Sequence, residues 1–332
     1  LPKDFLRLRL SGEMVSEMSD AAGTLWLDVE KRDWSDIMLA ATGLSRHHMP
    51  QLIEGTESSG FLLPELAKRW GINGQPVIAG GAGDNAASAV GIGAVRPGSA
   101  FLSLGTSGVY FVVTPSFLPA PEKGAHAFCH CLPRTWHQMG VILSAASCLS
   151  WLCQVLGRTE ADLLTALEND PVPTGAPLFL PYLSGERTPH NDSQAQGVFF
   201  GLTHNHDARH LTQAVLEGVS CAFADCQHVL VEAGAEIGEI SLIGGGARSR
   251  AWGQILATML QRPLIRHSGA ELGAAFGAAR LGLVAAEGSD PALVCSRPPI
   301  AEVLEPQPEL VENYQDLLIR YRRLYPALQE EF

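Results

Sequence analysis

Hydrophobic residues recur at a helical period in the longest regular segment of the chain, residues 207–233. The period is carried by Leu211, Val215, Val219, Ala222, Phe223, Cys226 and Leu230, a spacing typical of an amphipathic helix. Asp207 can cap its first turn, and Gly234 can end it. The pattern therefore predicts one long helix with a buried apolar face.

Short apolar runs bounded by glycine predict the strands. Residues 100–104 and 109–113 are two such runs joined by Gly105-Thr106-Ser107-Gly108, which predicts a β-hairpin. Two further runs are each followed by glycines and a helix, at 76–79 (helix 84–94) and at 240–243 (helix 249–260). Other helices are predicted at about 143–156, 160–168, 271–285 and 309–325. Residues 1–75 are predicted to mix helix and loop, and Asp33 is predicted to cap a helix at 34–44. This order indicates an α/β fold, in which binding sites form where glycine-rich turns connect strands to helices.

Composition and charge restrict the possible partners. The 332 residues are 46% hydrophobic and 17% charged, which predicts a folded chain of about two domains. Lys and Arg total 23 and Asp and Glu total 35, a net charge of −12. That sign argues against a nucleic-acid or anionic membrane partner, because both need clustered Lys and Arg. Arg96-Pro97-Gly98 is the strongest break in the pattern, so we expect one domain at 1–95 and a second at 96–332.

The uncharged stretch 139–157 is long enough to be compared with a membrane span. Ser144, Ser147 and Ser150 place a polar stripe along it, which favours a packed core helix. The seven cysteines contain no Cys-x-x-Cys pair, and scattered thiols of this kind are typical of a reducing cytosol. Because the first residues also lack a charged-then-apolar leader, we expect a cytoplasmic protein.

The first glycine turn, Gly81-Ala82-Gly83-Asp84-Asn85-Ala86, formally matches the dinucleotide-binding pattern G-x-G-x-x-A. That pattern also needs an acidic residue about 20 positions later, and residues 86–121 contain neither Asp nor Glu. A nicotinamide oxidoreductase is therefore disfavoured. Two interpretations of Asp84 remain: a simple helix cap, or an ionised carboxylate that accepts the proton of a ligand hydroxyl.

The other two glycine turns are candidate phosphate or nucleotide contacts. Gly105 to Gly108 is either an ordinary hairpin turn or an anion site made of backbone N–H groups and two hydroxyls. Gly244-Gly245-Gly246-Ala247-Arg248-Ser249 follows a strand and opens a helix. Consecutive glycines there serve either tight packing or the close approach of a nucleotide.

A cluster of histidines and cysteines raises the question of a metal site. It comprises His126, Cys129, His130, Cys131 and His137. Strand alternation would place His130 on the opposite face from the flanking cysteines, and there is no second ligand pair at zinc-finger spacing. The cluster is therefore interpreted as a buried polar strand, and no metal-ligating residue is assigned.

Two other acidic positions keep two interpretations each. Glu186 and Arg187 either line a cleft or form a surface ion pair of small energy. Asp20 either lies near a substrate or stabilises a turn.

Five segments together resemble one known family, the FGGY carbohydrate kinases, and within it the members that phosphorylate xylulose. They are LPKDFLRLRLSGEMVSEMSDAAGTLWLDV (1–29), GGAGDNAASAVG (80–91), SLGTSGVYF (103–111), PYLSGERTPHNDSQAQGVFFGLTHNHDARHLTQAVLEG (181–218) and LIGGGARS (242–249). The fourth segment carries the most specific spacing, at Gly197, Phe199, Gly201-Leu202, His210-Leu211, Ala214 and Glu217.

The resemblance implies a fold and an activity. The fold is an α/β actin-like ATPase (ribonuclease H-like) with the site between two domains, here domain II (96–332) plus the end of domain I (1–95). The activity is ATP-dependent phosphorylation of D-xylulose to D-xylulose 5-phosphate, with ATP and Mg²⁺ as cofactors. Asp84 would be the catalytic base and a substrate contact, and Asn85 a second sugar contact. The nucleotide contacts would be Gly105, Thr106, Ser107, Gly244, Gly245, Gly246, Ala247 and Ser249.

One departure from the family pattern leads to a further expectation. The family's D-x-G-T phosphate turn and its Met-His sugar pair are absent, so the chain is expected to be a fragment that lacks half of the N-terminal domain and is inactive alone. The alternatives that stay open are a kinase for another polyol or ketose and a non-catalytic actin-like nucleotide-binding module. The assembly state, including a homodimer, also stays open.

Overall fold

The structure, a computed structural model, describes residues 1–169, 175–268 and 273–332. The strands in these ranges are β1 (Val15–Glu17), β2 (Leu27–Asp28), β3 (Asp33–Trp34), β4 (Gln51–Ile53), β5 (Ser58–Phe61), β6 (Val77–Ala79), β7 (Ala100–Leu104), β8 (Gly108–Thr114), β9 (His126–Cys129), β10 (Trp136–Ile142), β11 (Leu178–Leu180), β12 (Val198–Phe200), β13 (Ile240–Ile243), β14 (Leu264–His267) and β15 (Ile300–Leu304). The helices are α1 (Pro2–Ser11), α2 (Met18–Ala21), α3 (Asp36–Ala41), α4 (Pro64–Trp70), α5 (Asp84–Gly91), α6 (Ala146–Leu156), α7 (Glu160–Asn169), α8 (Ala208–Glu232), α9 (Arg250–Leu260), α10 (Gly273–Glu287), α11 (Pro291–Val294) and α12 (Pro308–Leu328).

A seven-stranded mixed sheet is the largest sheet of the described ranges, with strand order β15-β14-β13-β7-β8-β10-β9. Strands β14, β13 and β7 run parallel, whereas β8, β10 and β9 form an antiparallel meander. The predicted hairpin is confirmed, since β7 and β8 pair in register from Ala100 opposite Val112 to Leu104 opposite Gly108.

Alternating side chains of β7 and β8 enter two different cores. Leu102, Leu104 and Tyr110 pack with α8 on one face of the sheet. Phe101 and Phe111 stack on each other at 4.7 Å on the other face, where Ala89 of α5 covers them. Helix α5 is therefore held on the sheet by small residues.

The long helix predicted at 207–233 is confirmed as α8, with Asp207 as its N-cap in a capping box with His210. Within the described residues, α8 is also the one helix long and apolar enough to cross a membrane by length and composition. Most of its apolar stretch is buried in the protein, as in a core helix. Gly218 permits close packing, because a Cβ there would overlap the carbonyl oxygen of Phe179.

Two predictions for residues 1–75 need correction, and part of a third lies outside the described residues. Residues 1–75 contain strands β1–β5 as well as helices, and these strands have only two to four residues each. The N-cap of α3 is Ser35, whose hydroxyl accepts from Met38 N, while Asp33 lies in β3. Of the helix predicted at 271–285, residues 271–272 lie outside the described residues, and α10 covers the rest.

Helices α5 and α10 pack directly, backbone on backbone. A Cβ on Gly277 would lie 2.7 Å from the carbonyl carbon of Ala87 and closer still to its oxygen. A Cβ on Gly91 would overlap the carbonyl oxygen of Gly273. The buried Arg280 donates from Nη1 to the carbonyl oxygens of Val90 and Gly91, at 2.9 and 3.0 Å, and so satisfies the last carbonyls of α5.

Candidate active site

The turn before α5 needs its first two glycines for structural reasons. A Cβ on Gly80 would overlap the carbonyl oxygen of Glu54, and Gly81 has φ +77°. Arg7, buried in α1, donates to the carbonyl oxygens of Gly80 and of Val15, the latter at 2.7 Å. The turn is thus a rigid connection between β6 and α5.

Asp84 does not cap α5, contrary to one interpretation from the sequence. The N-cap is Gly83, no side chain caps the helix, and Asp84 is its first residue. Asp84 is exposed, and its Oδ1 accepts from the backbone N and from Nδ2 of Asn85, at 2.8 and 3.2 Å. Its Oδ2 has no protein partner among the described residues. A carboxylate with one free oxygen at a helix N-terminus, where the dipole favours the anion, can accept the proton of a ligand hydroxyl.

Asp20 lies next to this turn. Its Oδ1 is 3.6 Å from the position that a Cβ on Gly83 would occupy. Lys3 Nζ is 3.5 Å from Asp20 Oδ2 and pairs with Asp4 at 2.8 Å. The position of Asp20 therefore fits the interpretation that places it near a substrate.

The turn between β7 and β8 is fixed by the N-terminus of α6. The backbone N of Ala146 donates to the carbonyl of Gly105 at 2.8 Å, and the backbone N of Ala145 donates to that of Thr106 at 2.9 Å. The hydroxyl of Ser147 also donates to the carbonyl of Thr106, at 2.8 Å. The carbonyls of Gly105 and Thr106 therefore face α6, while Thr106 and Ser107 are exposed to solvent.

Packing accounts for two of the three glycines after β13. A Cβ on Gly244, which has φ +93°, would lie 2.8 Å from the carbonyl of Leu104, and a Cβ on Gly246 would lie 2.5 Å from Leu104 Cγ. Gly245 has open space around its Cα. Packing thus explains Gly244 and Gly246, and Gly245 is the position that leaves room for a ligand.

Two cavities lie beside these turns, at the ends of β7 and β13. The larger, of about 750 Å³, is lined by Gly105, Thr106, Gly245, Gly246 and Ser249 together with the first turns of α6. The smaller, of about 430 Å³, is lined by Gly244, Gly245 and Ala247. Both volumes are within the range of small-molecule sites. Ser107, Asp84 and Asn85 line neither cavity.

Arg248 is a candidate that the sequence analysis did not assign. It is exposed and lines both cavities, so its guanidinium is available to pair with an anionic group of a ligand bound in either one. Its position inside the segment LIGGGARS (242–249) could have identified Arg248 as a candidate from the sequence. Ser147 and Ser150 of α6 also line the larger cavity and could be assigned only once α6 was known to pack there.

Helix α5 connects the turn that carries Asp84 to the smaller of the two cavities. Gly91, at its C-terminal end, lies against Gly273, which lines the smaller cavity. At 1.5 Å per residue, Asp84 and Gly91 are about 10 Å apart along the helix axis. Along the axis of α5, Asp84 therefore lies about 10 Å from the wall of the smaller cavity.

The histidine–cysteine cluster is built into strands β9 and β10 and the turn between them. His130 is fully buried, and burial lowers its pKa to about 3, so its imidazole is neutral. The prediction that His130 points away from the flanking cysteines is wrong, because β9 ends at Cys129 and His130 Nδ1 lies 3.5 Å from the Cys131 sulfur. Within the ranges that the structure describes, no group of three or more His, Cys, Asp or Glu side chains is arranged to hold a metal.

Glu186 and Arg187 do not form the surface pair that the sequence suggested. Glu186 is 1% exposed and accepts from the backbone N of Arg187 and of Leu143, at 2.7 and 3.0 Å. Arg187 instead contacts His126 at 3.1 Å. Burial raises the pKa of Glu186 to about 8.

Comparison with known proteins decides the family. Residues 1–91 match the N-terminal domain of the FGGY family of carbohydrate kinases, and residues 100–286 match its C-terminal domain. The chain belongs to the FGGY family of carbohydrate kinases. This FGGY kinase is 52% identical over 331 residues to the xylulose kinase of Escherichia coli K12, covering 99% of this chain and 68% of the relative.

Solved structures agree with that assignment. The xyloylose kinase of Brucella ovis superposes with a TM-score of 0.97 and 52% identity, over 100% of this chain and 69% of that one. The gluconate kinase of Lactobacillus acidophilus superposes with a TM-score of 0.88 and 26% identity, over 98% and 67% of the two chains. The α/β actin-like ATPase fold is therefore confirmed.

The family membership settles part of the functional predictions. The FGGY kinase is a phosphotransferase that uses ATP and an alcohol group of a sugar. The match of residues 1–91 to the N-terminal domain contradicts the expectation that the chain is only the C-terminal part of a family member. The comparisons lend no support to the expected inactivity of the chain. The boundary between residues 95 and 96, the cytoplasmic location and a homodimer stay predictions.

Proposed function

We propose that this chain phosphorylates D-xylulose to D-xylulose 5-phosphate with ATP. The observation that carries the proposal is the exposed Asp84 carboxylate, with Oδ2 free, at the start of a helix whose C-terminal end lies against the wall of the smaller cavity. The similarity to xylulose kinases at 52% identity supports the choice of sugar.

In this proposal Asp84 Oδ2 accepts the proton of the C5 hydroxyl. The hydroxyl oxygen then bonds to the γ-phosphorus as the bond from that phosphorus to the β–γ bridging oxygen breaks, leaving ADP. Phosphoryl transfer of this kind depends mainly on positioning and charge stabilisation, and a positioned base contributes about 10²–10⁴-fold.

The nucleotide is assigned to the two glycine turns. The backbone from Gly105 to Ser107 would face its phosphates, and Gly244 to Ala247 with Ser249 would border the adenosine. Arg248, between the two cavities, would add positive charge beside the phosphates. Asn85, next to Asp84, would contact the sugar.

Mg²⁺ belongs to the proposal as the ion that neutralises phosphate charge. This cation takes oxygen ligands and in phosphotransferases is held by one or two carboxylates together with phosphates and water. The carboxylate of Asp20, beside Gly83, is a donor of that type. It is the residue that would hold the ion once ATP is bound, which leaves Asp84 Oδ2 to the sugar hydroxyl.

A kinase for another ketose or sugar acid is the second candidate, because the fold is shared with a gluconate kinase. The test is ADP release with ATP and Mg²⁺ and, in turn, D-xylulose, D-ribulose, D-gluconate or glycerol. The proposal expects the highest kcat/KM with D-xylulose. A higher kcat/KM with any other acceptor would replace the assigned substrate.

A further inference from the structure

A fully buried carboxylate lies directly behind the turn that carries Asp84. Glu17, the last residue of β1, is 0% exposed. Its Oε2 accepts from the backbone N of Ser19 and its Oε1 from the backbone N of Asp20, both at 2.8 Å. Burying a carboxylate is costly unless hydrogen bonds satisfy it. The four-residue helix α2 that Glu17 caps would need only an exposed Ser or Asp for that purpose.

The side chain of Ser19 connects Glu17 to the start of α5. Its Oγ accepts from the backbone N of Gly83 at 3.0 Å. The same Oγ donates to Glu17, with Oε1 at 3.0 Å and Oε2 at 2.9 Å. The N–H of Gly83 can only donate, so Ser19 Oγ is its acceptor, and the hydroxyl proton of Ser19 is directed at the Glu17 carboxylate.

Gly83 is the residue through which this chain of bonds reaches the site. It is the N-cap of α5 and directly precedes Asp84. No side chain caps the helix from within its first turn, so Ser19, from a segment 64 residues earlier, supplies the side-chain contact to the N-cap.

Glu17 also fixes Asp20, because the backbone N–H of Asp20 donates to Glu17 Oε1. Lys3 Nζ lies 3.6 Å from Glu17 Oε1 and 3.5 Å from Asp20 Oδ2, so it spans the two carboxylates. Burial raises the pKa of Glu17, and the charge of Lys3 and the N–H groups of Ser19 and Asp20 oppose that rise. One buried side chain thus orients both Asp20 and the residue before Asp84.

We propose that Glu17 and Ser19 are positioning residues for phosphoryl transfer, which hold Asp84 at a fixed place relative to Asp20 through the backbone N–H of Gly83. The proposal rests on the proposed role of Asp84 as the base. It matters for rate because displacement of a catalytic group by about 1 Å can cost about 10²-fold.

The test compares Ser19→Ala with Ser16→Ala. Both serines are buried in neighbouring positions of one segment, but the hydroxyl of Ser16 donates to Asp4 at 2.9 Å and does not contact Gly83. The measurements are kcat and KM with ATP and D-xylulose, the affinity for ATP, and the hydrogen-exchange rate of the Gly83 amide by NMR.

Ser19→Ala is expected to lower kcat at least about tenfold, to leave KM and affinity for ATP within about twofold, and to speed exchange at Gly83 at least about tenfold. Ser16→Ala is expected to match the wild type in all four quantities. Glu17→Gln, in which an NH₂ replaces one accepting oxygen, is expected to behave like Ser19→Ala.

Unchanged kcat and unchanged Gly83 exchange in Ser19→Ala would overturn the proposal. So would an equal loss of kcat in Ser16→Ala, because the effect would then be general destabilisation. If Asp84→Asn keeps full turnover, the role of Asp84 fails instead, while the exchange rate of Gly83 still reports whether Ser19 holds this turn.

Discussion

Gly277 of α10 and Ala87 of α5 touch through their backbones, with no room for a side chain at position 277. A Cβ there would lie 2.7 Å from the carbonyl carbon of Ala87 and 3.0 Å from the backbone N of Gly91. These neighbours are backbone atoms and cannot rotate away. The crossing therefore fixes the axis of the helix that begins with Asp84.

Gly277→Ala should destabilise the protein by about 3 kcal/mol, because backbone must move to admit the methyl group. Gly282→Ala is the matched control, since it lies on the same helix with nothing within 4 Å of its Cβ position. There alanine should be neutral or stabilising by up to about 1 kcal/mol. Urea unfolding measures both, and equal stabilities of the two variants would show that the helices can separate without cost.

Gly83→Ala should leave stability nearly unchanged but weaken sugar binding. The backbone of Gly83, with φ −62°, suits alanine, and the nearest atom to the added methyl would be Asp20 Oδ1 at 3.6 Å, an ordinary contact. The methyl would lie beside Asp20 and directly before Asp84, the residue to which we assign the sugar hydroxyl. We expect KM for D-xylulose to rise about tenfold, equivalent to roughly 1.4 kcal/mol.

The control for that variant is Gly23→Ala, in the turn Ala22–Thr24, where no atom lies within 4 Å of the added methyl group. Its KM and unfolding midpoint should both match the wild type. A normal sugar KM in Gly83→Ala would place the sugar elsewhere.

Arg248→Gln should raise KM for ATP about tenfold or more and leave KM for the sugar unchanged. Removing one charged hydrogen bond to a phosphate costs about 1.5–3 kcal/mol. Arg250→Gln is the control, because Arg250 is exposed on α9 and pairs with Glu302 at 2.7 Å. Steady-state kinetics with varied ATP measures the effect, and equal KM values in both variants would remove Arg248 from the nucleotide site.

Glu186 should make stability fall as pH rises. Its pKa is raised from an ordinary 4.5 to about 8 by burial, so the folded state holds a proton that the unfolded state has lost between these values. The stability that this proton supplies is complete below about pH 4.5 and is lost as pH rises through about 8.

Glu186→Gln should remove that loss, because the amide oxygen can accept from Leu143 N and Arg187 N while the amide nitrogen replaces Oε2, which has no partner in the described structure. We expect the variant to be more stable than the wild type by about 4 kcal/mol at pH 8 and by no more than about 1 kcal/mol at pH 5. Unfolding at the two pH values measures this, and the same difference at both would contradict a buried protonated carboxyl.

The sequence predicts the elements whose signals are local. The apolar period of α8, the Asp207 cap and the glycine-linked hairpin of β7 and β8 all lie within one segment, and the structure agrees with each. Strands β1–β5 could not be predicted in the same way, because runs of two to four residues carry too little periodicity.

Only part of the candidate site can be predicted from the sequence. Asp84 and the glycine turns stand out because their residue types are unusual for plain structure. The contact of Ser19 with Gly83 joins positions 64 residues apart, and only folding shows that Glu17 and Glu186 are buried. Long-range pairing of this kind leaves no period or motif in the sequence.

The most direct test of the central claim is the rate of D-xylulose-dependent ADP release by Asp84→Asn in the presence of saturating ATP. Asp36→Asn serves as control, since Asp36 is likewise an exposed first residue of a helix, α3. We predict a loss of kcat of about 10²–10⁴-fold for Asp84→Asn, with ATP affinity unchanged, and no loss for Asp36→Asn. Full turnover in Asp84→Asn, or lost ATP binding with turnover retained, would contradict the account.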